Sequence, residues 1–300
     1  MAKQGGVMRA INRAISGVFP ELWDGSFTFV QAADCQLGMD WTMQYWGQPE
    51  GALRAIIAKD RTAWTWDEDV KWSEAFVKQV NLLAPLPLFA VMCGDLLDAY
   101  PEQFPEIRER QKEDFERIYA ALDIPLICVC GNHDVGNSPT RDTVSRYRSD
   151  FGDDWFTFVC KGVLFIVLNS QFYEDPQHVE GERAAQDAWL EDQLKLVPAH
   201  KHTVVFQHIP WFLNTPDEPK EYFNIAEPLR SGMLEKLHAA GVRAVFTGHY
   251  HRNAGGWYKD MELVVTSAVG TQLGPDGHGF RLVRVGEEKV EHEYVQLLGV

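Results

Sequence analysis

No apolar run in the chain approaches the roughly 20 residues that a membrane-spanning helix requires, so no membrane association is expected. Cysteine is sparse and odd in number. The five thiols, Cys35, Cys93, Cys128, Cys130 and Cys160, sit inside apolar runs, which predicts free thiols in a reducing, cytoplasmic setting rather than a disulfide framework. Cys128 and Cys130 have no matching Cys or His pair, which argues against a structural zinc site. Basic residues are outnumbered, 28 Lys and Arg against 43 Asp and Glu, for a net charge of −15. Such a surface repels a phosphate backbone, so no nucleic-acid partner is expected, although bound cations can reverse the sign inside a pocket. Internal repeats, low-complexity linkers and a secretory signal are missing as well, and a monomer is expected. The first twenty residues lack Asp and Glu but carry Lys3, Arg9 and Arg13, with Met8, Ile11, Ile15 and Val18 at helical spacing. A mitochondrial presequence is one reading; the preferred one is a helical extension over residues 1–24, packed on a single domain at 25–300.

What remains is ordinary globular composition, 45% hydrophobic and 24% charged over 300 residues, enough for one large α/β core. Apolar runs at 27–33, 88–93, 126–130, 163–168, 203–207 and 244–246 read as strands. Helical patterns at 66–82, 104–122, 184–196 and 226–239 lie between them, implying βαβ units with largely parallel pairing. Residues 156–160 and 163–168, joined by Lys161-Gly162, predict a hairpin. The last quarter changes character, with strands at 263–266, 280–285 and 289–295 and no helices between, so two stacked sheets are expected.

The polar groups fall where these strands stop. The runs lead into Asp34-Cys35-Gln36, Gly94-Asp95, Gly131-Asn132-His133-Asp134, His208 and Gly248-His249-Tyr250-His251. Each piece alone is an ordinary turn or a packed histidine. Five in order, each at the carboxyl end of a strand where α/β sheets bind ligands, gather two carboxylates, an amide and four imidazoles. That donor set suits two divalent ions such as Mn, Fe or Zn, with Asp95 as the bridging carboxylate. Glycine ahead of Asp95, Asn132 and His249 is expected to let the backbone turn sharply beside the ions.

These motifs, with Leu96-Leu97-Asp98 after Asp95, resemble the calcineurin-like metallophosphoesterase superfamily over residues 34–251. The stretches at 168–173, 206–210 and 248–256 carry a closer resemblance to a branch of cytoplasmic serine/threonine protein phosphatases. The resemblance implies a four-layer α/β/β/α sandwich, two mixed sheets flanked by helices. It implies a phosphomonoester hydrolase using a metal-activated hydroxide. Asp34 and His251 would hold the first ion, Asn132, His208 and His249 the second, and Asp95 both. His133 would be the general acid and Asp134 a candidate to orient it.

Two positions depart from the family pattern. Gln36 stands where the first motif usually has histidine, so the first site would be weaker or prefer a harder ion such as Mg or Mn, or Gln36 would contact a metal-bound water. Ala99 follows Asp98 where calcineurin-type phosphatases carry a phosphate-gripping arginine, and Arg252 is the candidate substitute. Two aromatic segments, 37–66 with Trp41, Tyr45, Trp46, Trp64 and Trp66, and 210–224 with Trp211, Phe212, Tyr222 and Phe223, follow ligand-bearing strand ends. They border the pocket or simply cover the core. Asp217, Glu218 and Glu221 in the second would disfavour a highly anionic substrate. The substrate is expected to be a phosphoprotein or a small phosphorylated molecule. Phosphodiester or phosphometabolite hydrolysis on the same metals, or a nonenzymatic scaffold, are the alternative readings.

Overall fold

The apolar runs become strands buried on both faces, which is why they read as continuous rather than alternating. The computed structural model describes residues 17–299 apart from 46, 47, 49, 50 and 61. Eleven strands are described: β1 (Phe27–Ala32), β2 (Ala90–Cys93), β3 (Leu126–Val129), β4 (Phe156–Cys160), β5 (Val163–Val167), β6 (His202–Phe206), β7 (Ala244–Thr247), β8 (Ala254–Tyr258), β9 (Met261–Val265), β10 (Gly279–Val285) and β11 (Val290–Gln296). They form a five-stranded sheet, ordered β11-β10-β1-β2-β3, and a six-stranded sheet, ordered β4-β5-β6-β7-β9-β8. Strands β1–β3 pair in parallel, as do β5, β6, β7 and β9. Strand β10 pairs antiparallel with both β1 and β11, as does β4 with β5 and β8 with β9, giving two mixed sheets.

The alternation of side chains across each strand assigns one face to the other sheet and one to helices. Phe29, Phe89, Phe165, Phe206 and Phe246 fill the space between the sheets. Their rings meet at centroid distances such as 5.0 Å for Phe29–Phe89 and 5.8 Å for Phe165–Phe206, each pair worth about 0.5–1.5 kcal/mol beyond its buried area. The opposite face of the first sheet, with Val30, Met92 and Cys128, packs on α3 (Asp67–Asn81) and α4 (Pro105–Tyr119) through Phe76, Phe115 and Tyr119. The outer face of the second, with Leu164, Ile166 and Val205, packs on α8 (Glu180–Leu194) and α9 (Leu229–Ala240). This is the expected helix–sheet–sheet–helix sandwich. Shorter helices complete it: α1 (Met39–Thr42), α2 (Ala52–Lys59), α5 (Asn132–Val135), α6 (Arg141–Phe151) and α7 (Gln171–Glu174).

Three local expectations change. The first sixteen residues of the expected N-terminal helix lie outside the described residues, and residues 17–24 carry no helix. Instead Phe19 enters the inter-sheet core and the Pro20 carbonyl accepts the Lys161 amide. The helix expected over 226–239 starts at Leu229, because Pro228 has no amide hydrogen to give the preceding turn. Strand β8 and helix α6 were not anticipated.

Candidate metal centre

The parallel strands of both sheets end at one place, and their end loops hold the backbone in unusual conformations. Among the described residues, seven non-glycines have positive φ, and five of them are Asp34, Gln36, Asp95, His249 and His251. Each such residue costs about 1–3 kcal/mol, a cost that surrounding structure sustains where function needs the geometry. Of the three glycines expected to permit sharp turns, only Gly94 has a positive φ, at 84°. Gly131 is required for space rather than for its turn, since a Cβ there would lie 2.2 Å from the amide nitrogen and Oδ1 of Asp95.

Two donor groups result. Asp95, His208 and His249 present ligand atoms within 4.8 Å of one another, and so do Asp34, Asp95 and His251. Asp95 belongs to both. The Asn132 Oδ1 joins the first group, 3.1 Å from His208 Nε2, while its amide nitrogen donates to Asn137 Oδ1 at 3.0 Å. All these side chains are buried.

Each imidazole is held by a backbone carbonyl. His208 Nδ1 donates to the Cys93 carbonyl at 2.8 Å, His249 Nε2 to Tyr222 at 3.3 Å and His251 Nδ1 to Thr271 at 2.6 Å. A carbonyl fixes the hydrogen on the nitrogen that faces it, so the other ring nitrogen turns a lone pair to the centre. Burial pulls the His251 imidazole down to about 4, and burial together with His208 lowers His249 well below its usual value. Both are thus neutral, the form that binds metal. Burial also lowers His208, but Asp95 and Asp34 outweigh it and lift the ring to about 9, so a cation binding there would have to displace the hydrogen on its Nε2. Burial pushes Asp95 up, yet His208 and His133 outweigh it and hold the carboxyl below the ordinary range.

Gln36 donates its Nε2 to Asp98 Oδ1 at 2.8 Å. That bond fixes the amide orientation, since a flipped amide would set its oxygen against a carboxylate. The Gln36 Oε1 is buried with no hydrogen-bond partner. Cys35, between Asp34 and Gln36, turns away, its thiol 3.4 Å from the Leu96 carbonyl. All five cysteines are free and buried. Buried carboxylates, imidazoles each oriented by a backbone carbonyl and an amide oxygen left open fit divalent cations.

His133 stands beside this centre, and Asp98 rather than Asp134 orients it. Its Nδ1 donates to the Asp98 carbonyl at 2.7 Å, with Asp98 Oδ1 at 3.5 Å. The Asp134 carboxylate instead accepts the amides of Gly131 at 2.9 Å and Leu96 at 3.1 Å, tying two ligand loops together. The Tyr100 ring stacks on His133 with centroids 4.4 Å apart, and its hydroxyl lies 3.3 Å from Nε2.

Arg252 does not reach the centre. It donates to the Leu273 carbonyl at 2.7 Å and the Tyr250 hydroxyl at 3.1 Å, and it lines neither cavity that flanks the site. Glu218 likewise faces inward, its carboxylate accepting the amides of Leu213, Asn214 and Thr215. It braces the 210–224 loop, also accepting from Asn224 Nδ2 at 2.7 Å, and lines neither flanking cavity.

Arg108, on α4, is a buried residue beside His133 that the sequence reading did not single out. Its buried guanidinium donates to the carbonyls of Ala99 at 3.0 Å, His133 at 3.2 Å and Asp134 at 3.2 Å. It ties the His133–Asp134 backbone to the Ala99 carbonyl of the neighbouring loop. Arg108→Met leaves three buried carbonyls short of a donor, so denaturant melts should show a loss of about 2–4 kcal/mol. Turnover should fall more on alkyl than on aryl phosphates, because the damage passes through His133.

The calcineurin-like phosphoesterase family model matches residues 28–253. Serine/threonine-protein phosphatase CPPED1 of Mus musculus is 44% identical over 279 residues, covering 92% of this chain and 85% of the mouse protein. The Homo sapiens protein of the same name is 42% identical over 305 residues, covering 99% of this chain and 93% of its own. Among solved structures, a dimetal phosphatase from Danio rerio superposes with a TM-score of 0.59 at 16% identity, covering 92% of this chain and 100% of that one. A purple acid phosphatase from yellow lupin gives 0.62 at 12% identity, covering 93% and 52%. The structural likenesses establish the shared fold.

Proposed function

The chain belongs to the calcineurin-like phosphoesterase family and is a metal-dependent phosphatase; from that premise we propose that it removes phosphate from serine and threonine side chains of proteins. The observation that carries this reading is the pair of donor groups sharing Asp95, with His133 poised beside them. The name of its 42–44% identical relatives supports the substrate class.

In this reading Asp95, Asn132, His208 and His249 would hold one divalent ion and Asp34, Asp95 and His251 the other, with the unpartnered Gln36 Oε1 as a further candidate donor. The mixed carboxylate and imidazole set suits Mn, Fe or Zn, and the amide of Gln36 tilts its half toward Mg or Mn. When bound, the ions supply Lewis acidity and lower the pKa of a nucleophilic water. The chain supplies the rest. The Asp98 carbonyl holds the His133 Nδ1 hydrogen, so it is the doubly protonated ring that has a proton to give, on Nε2. A serine alkoxide needs that proton as it leaves. Among the described residues, no Lys or Arg lines either flanking cavity. The five buried thiols support a reducing, cytoplasmic setting.

The substrate class is tested by comparing kcat/KM on a phosphoserine peptide, a bis-aryl phosphodiester and nucleotides, with Mn, Mg, Zn and Fe each supplied. The peptide should be the best substrate. Faster diester or nucleotide hydrolysis would replace the protein-phosphatase reading. Bound metal without turnover on any of them would mark a nonenzymatic scaffold.

A further inference from the structure

Two cavities flank the metal centre, divided by Tyr222, a residue 57% exposed that lines both. The one on the His249 side is polar and acidic, with Gln171, Glu174 and Asp175 in its wall. The one on the His133 side differs. It is about 310 Å³, and Met39, Tyr45, Leu53, Trp64, Tyr100 and Phe104 make up half of its lining residues. Among the described residues no Lys or Arg lines it, and the one carboxylate that does, Asp98, already accepts from Gln36 and Thr42.

Resting on the reading given above, we infer that the His133-side cavity is a leaving-group subsite that selects an apolar, planar side chain next to the phosphorylated residue. Position is the first argument. His133 is a wall of this cavity, and a proton donor must face the leaving oxygen, so whatever is attached to that oxygen extends into this space. Size is the second. About 310 Å³ lies at the bottom of the roughly 300–1,000 Å³ range of ligand pockets, room for one ring and not for a folded segment. Rigidity is the third. The Trp64 indole donates to the Gly38 carbonyl at 3.0 Å, stacks on Trp41 at 5.5 Å and meets the Phe104 edge at 5.3 Å. Tyr45 packs on the same Trp41 at 4.7 Å. An aromatic wall fixed in this way binds a ring without first having to be ordered. Charge is the fourth: a carboxylate entering here would meet no cation among the described lining residues and would lose its water. The 37–66 segment thus serves two ends. Trp41, Trp64 and Trp66 are buried in the core, while Tyr45 and Leu53 are partly open to the cavity.

The test uses the full chain loaded with metal and two substrate series. Phosphoserine peptides carry Phe, Ala or Glu on one side or the other of the phosphorylated residue. Ethyl and benzyl phosphate form the second series, since their alcohols need a proton to a similar degree and differ mainly in the ring. The cavity predicts that Phe exceeds Glu by about 10- to 100-fold in kcat/KM at one flanking position, and that benzyl exceeds ethyl by about 10-fold or more. Leu53→Lys, on the half-buried face of α2, should shrink both ratios and favour the Glu peptide, while Leu53→Met should retain them. Hydrolysis of the alkyl phosphates with the benzyl preference, but of no peptide, would sustain the cavity and remove the protein-phosphatase reading. Equal rates across each series in the unaltered protein would overturn the subsite, whatever the variants do.

Discussion

Asp95→Asn is expected to cost about 10³-fold or more in kcat/KM and to reduce bound metal from about two ions per chain to fewer than one. Asp95 is the only carboxylate shared by the two donor groups. An amide keeps its size but offers one oxygen in place of two and no charge, so both halves weaken together. The substitution also touches the proton donor, because Asp95 Oδ1 accepts the His133 amide at 2.8 Å. An asparagine oxygen can still accept that hydrogen, so His133 should stay in place and the loss should track metal content. His249→Ala removes a donor from one group only, and about one ion should remain. A ligand that binds the folded chain at a hundred times its Kd adds about 2.7 kcal/mol of stability. Thermal melts with added Mn should therefore rise for the unaltered chain and barely move for Asp95→Asn. A variant that kept two ions and full activity would show that Asp95 does not bridge.

His133→Ala should divide substrates by their leaving group. General acid catalysis contributes about 10²- to 10⁴-fold, and it matters when the departing alkoxide is strongly basic. Turnover on a phosphoserine peptide should fall across that range. An aryl phosphate with an acidic phenol hardly needs the proton and should lose less than about 10-fold. The backbone adds a finer expectation. His133 is oriented mainly by the Asp98 carbonyl, at 2.7 Å, so Asp98→Asn should preserve most of the acid function. Its side chain also receives Gln36 Nε2 and Thr42 Oγ1, and an amide there should instead disturb the Gln36 half of the metal centre. Equal losses on both substrates in His133→Ala would count against the proton-donor role.

The metal centre was legible because ligation needs particular side chains at strand ends, and the run-then-motif pattern appears five times. What holds those ligands was not legible. The carbonyls of Cys93, Asp98, Tyr222 and Thr271 do the orienting, and every residue has a carbonyl. Asp134 adjoins His133 in sequence and so looked like its partner, but a short helix (Asn132–Val135) turns its carboxylate toward Gly131 and Leu96. Arg108 lies in a helix crowded with Glu, Arg and Lys, where a buried guanidinium looks like any solvated charge.

The fold shows the same division. Strands with two buried faces were plain in their apolar runs. Strand β8, Ala254–Tyr258, holds two glycines and no run, and takes its conformation from pairing with β9. Helix α6 is mostly polar, yet Thr140 caps it through the Thr143 amide, and Val144, Tyr147 and Phe151 lie buried at helical spacing. That faint stripe and its cap were the signals available.

Metal stoichiometry measured beside activity tests the central claim most directly. The gently purified chain is analysed for bound metals, stripped by chelation and titrated with Mn, Mg, Zn and Fe one at a time. About two ions per chain, loss of turnover on stripping and its return as the second ion binds are the predicted results. Full phosphatase activity in thoroughly metal-free protein would contradict the account.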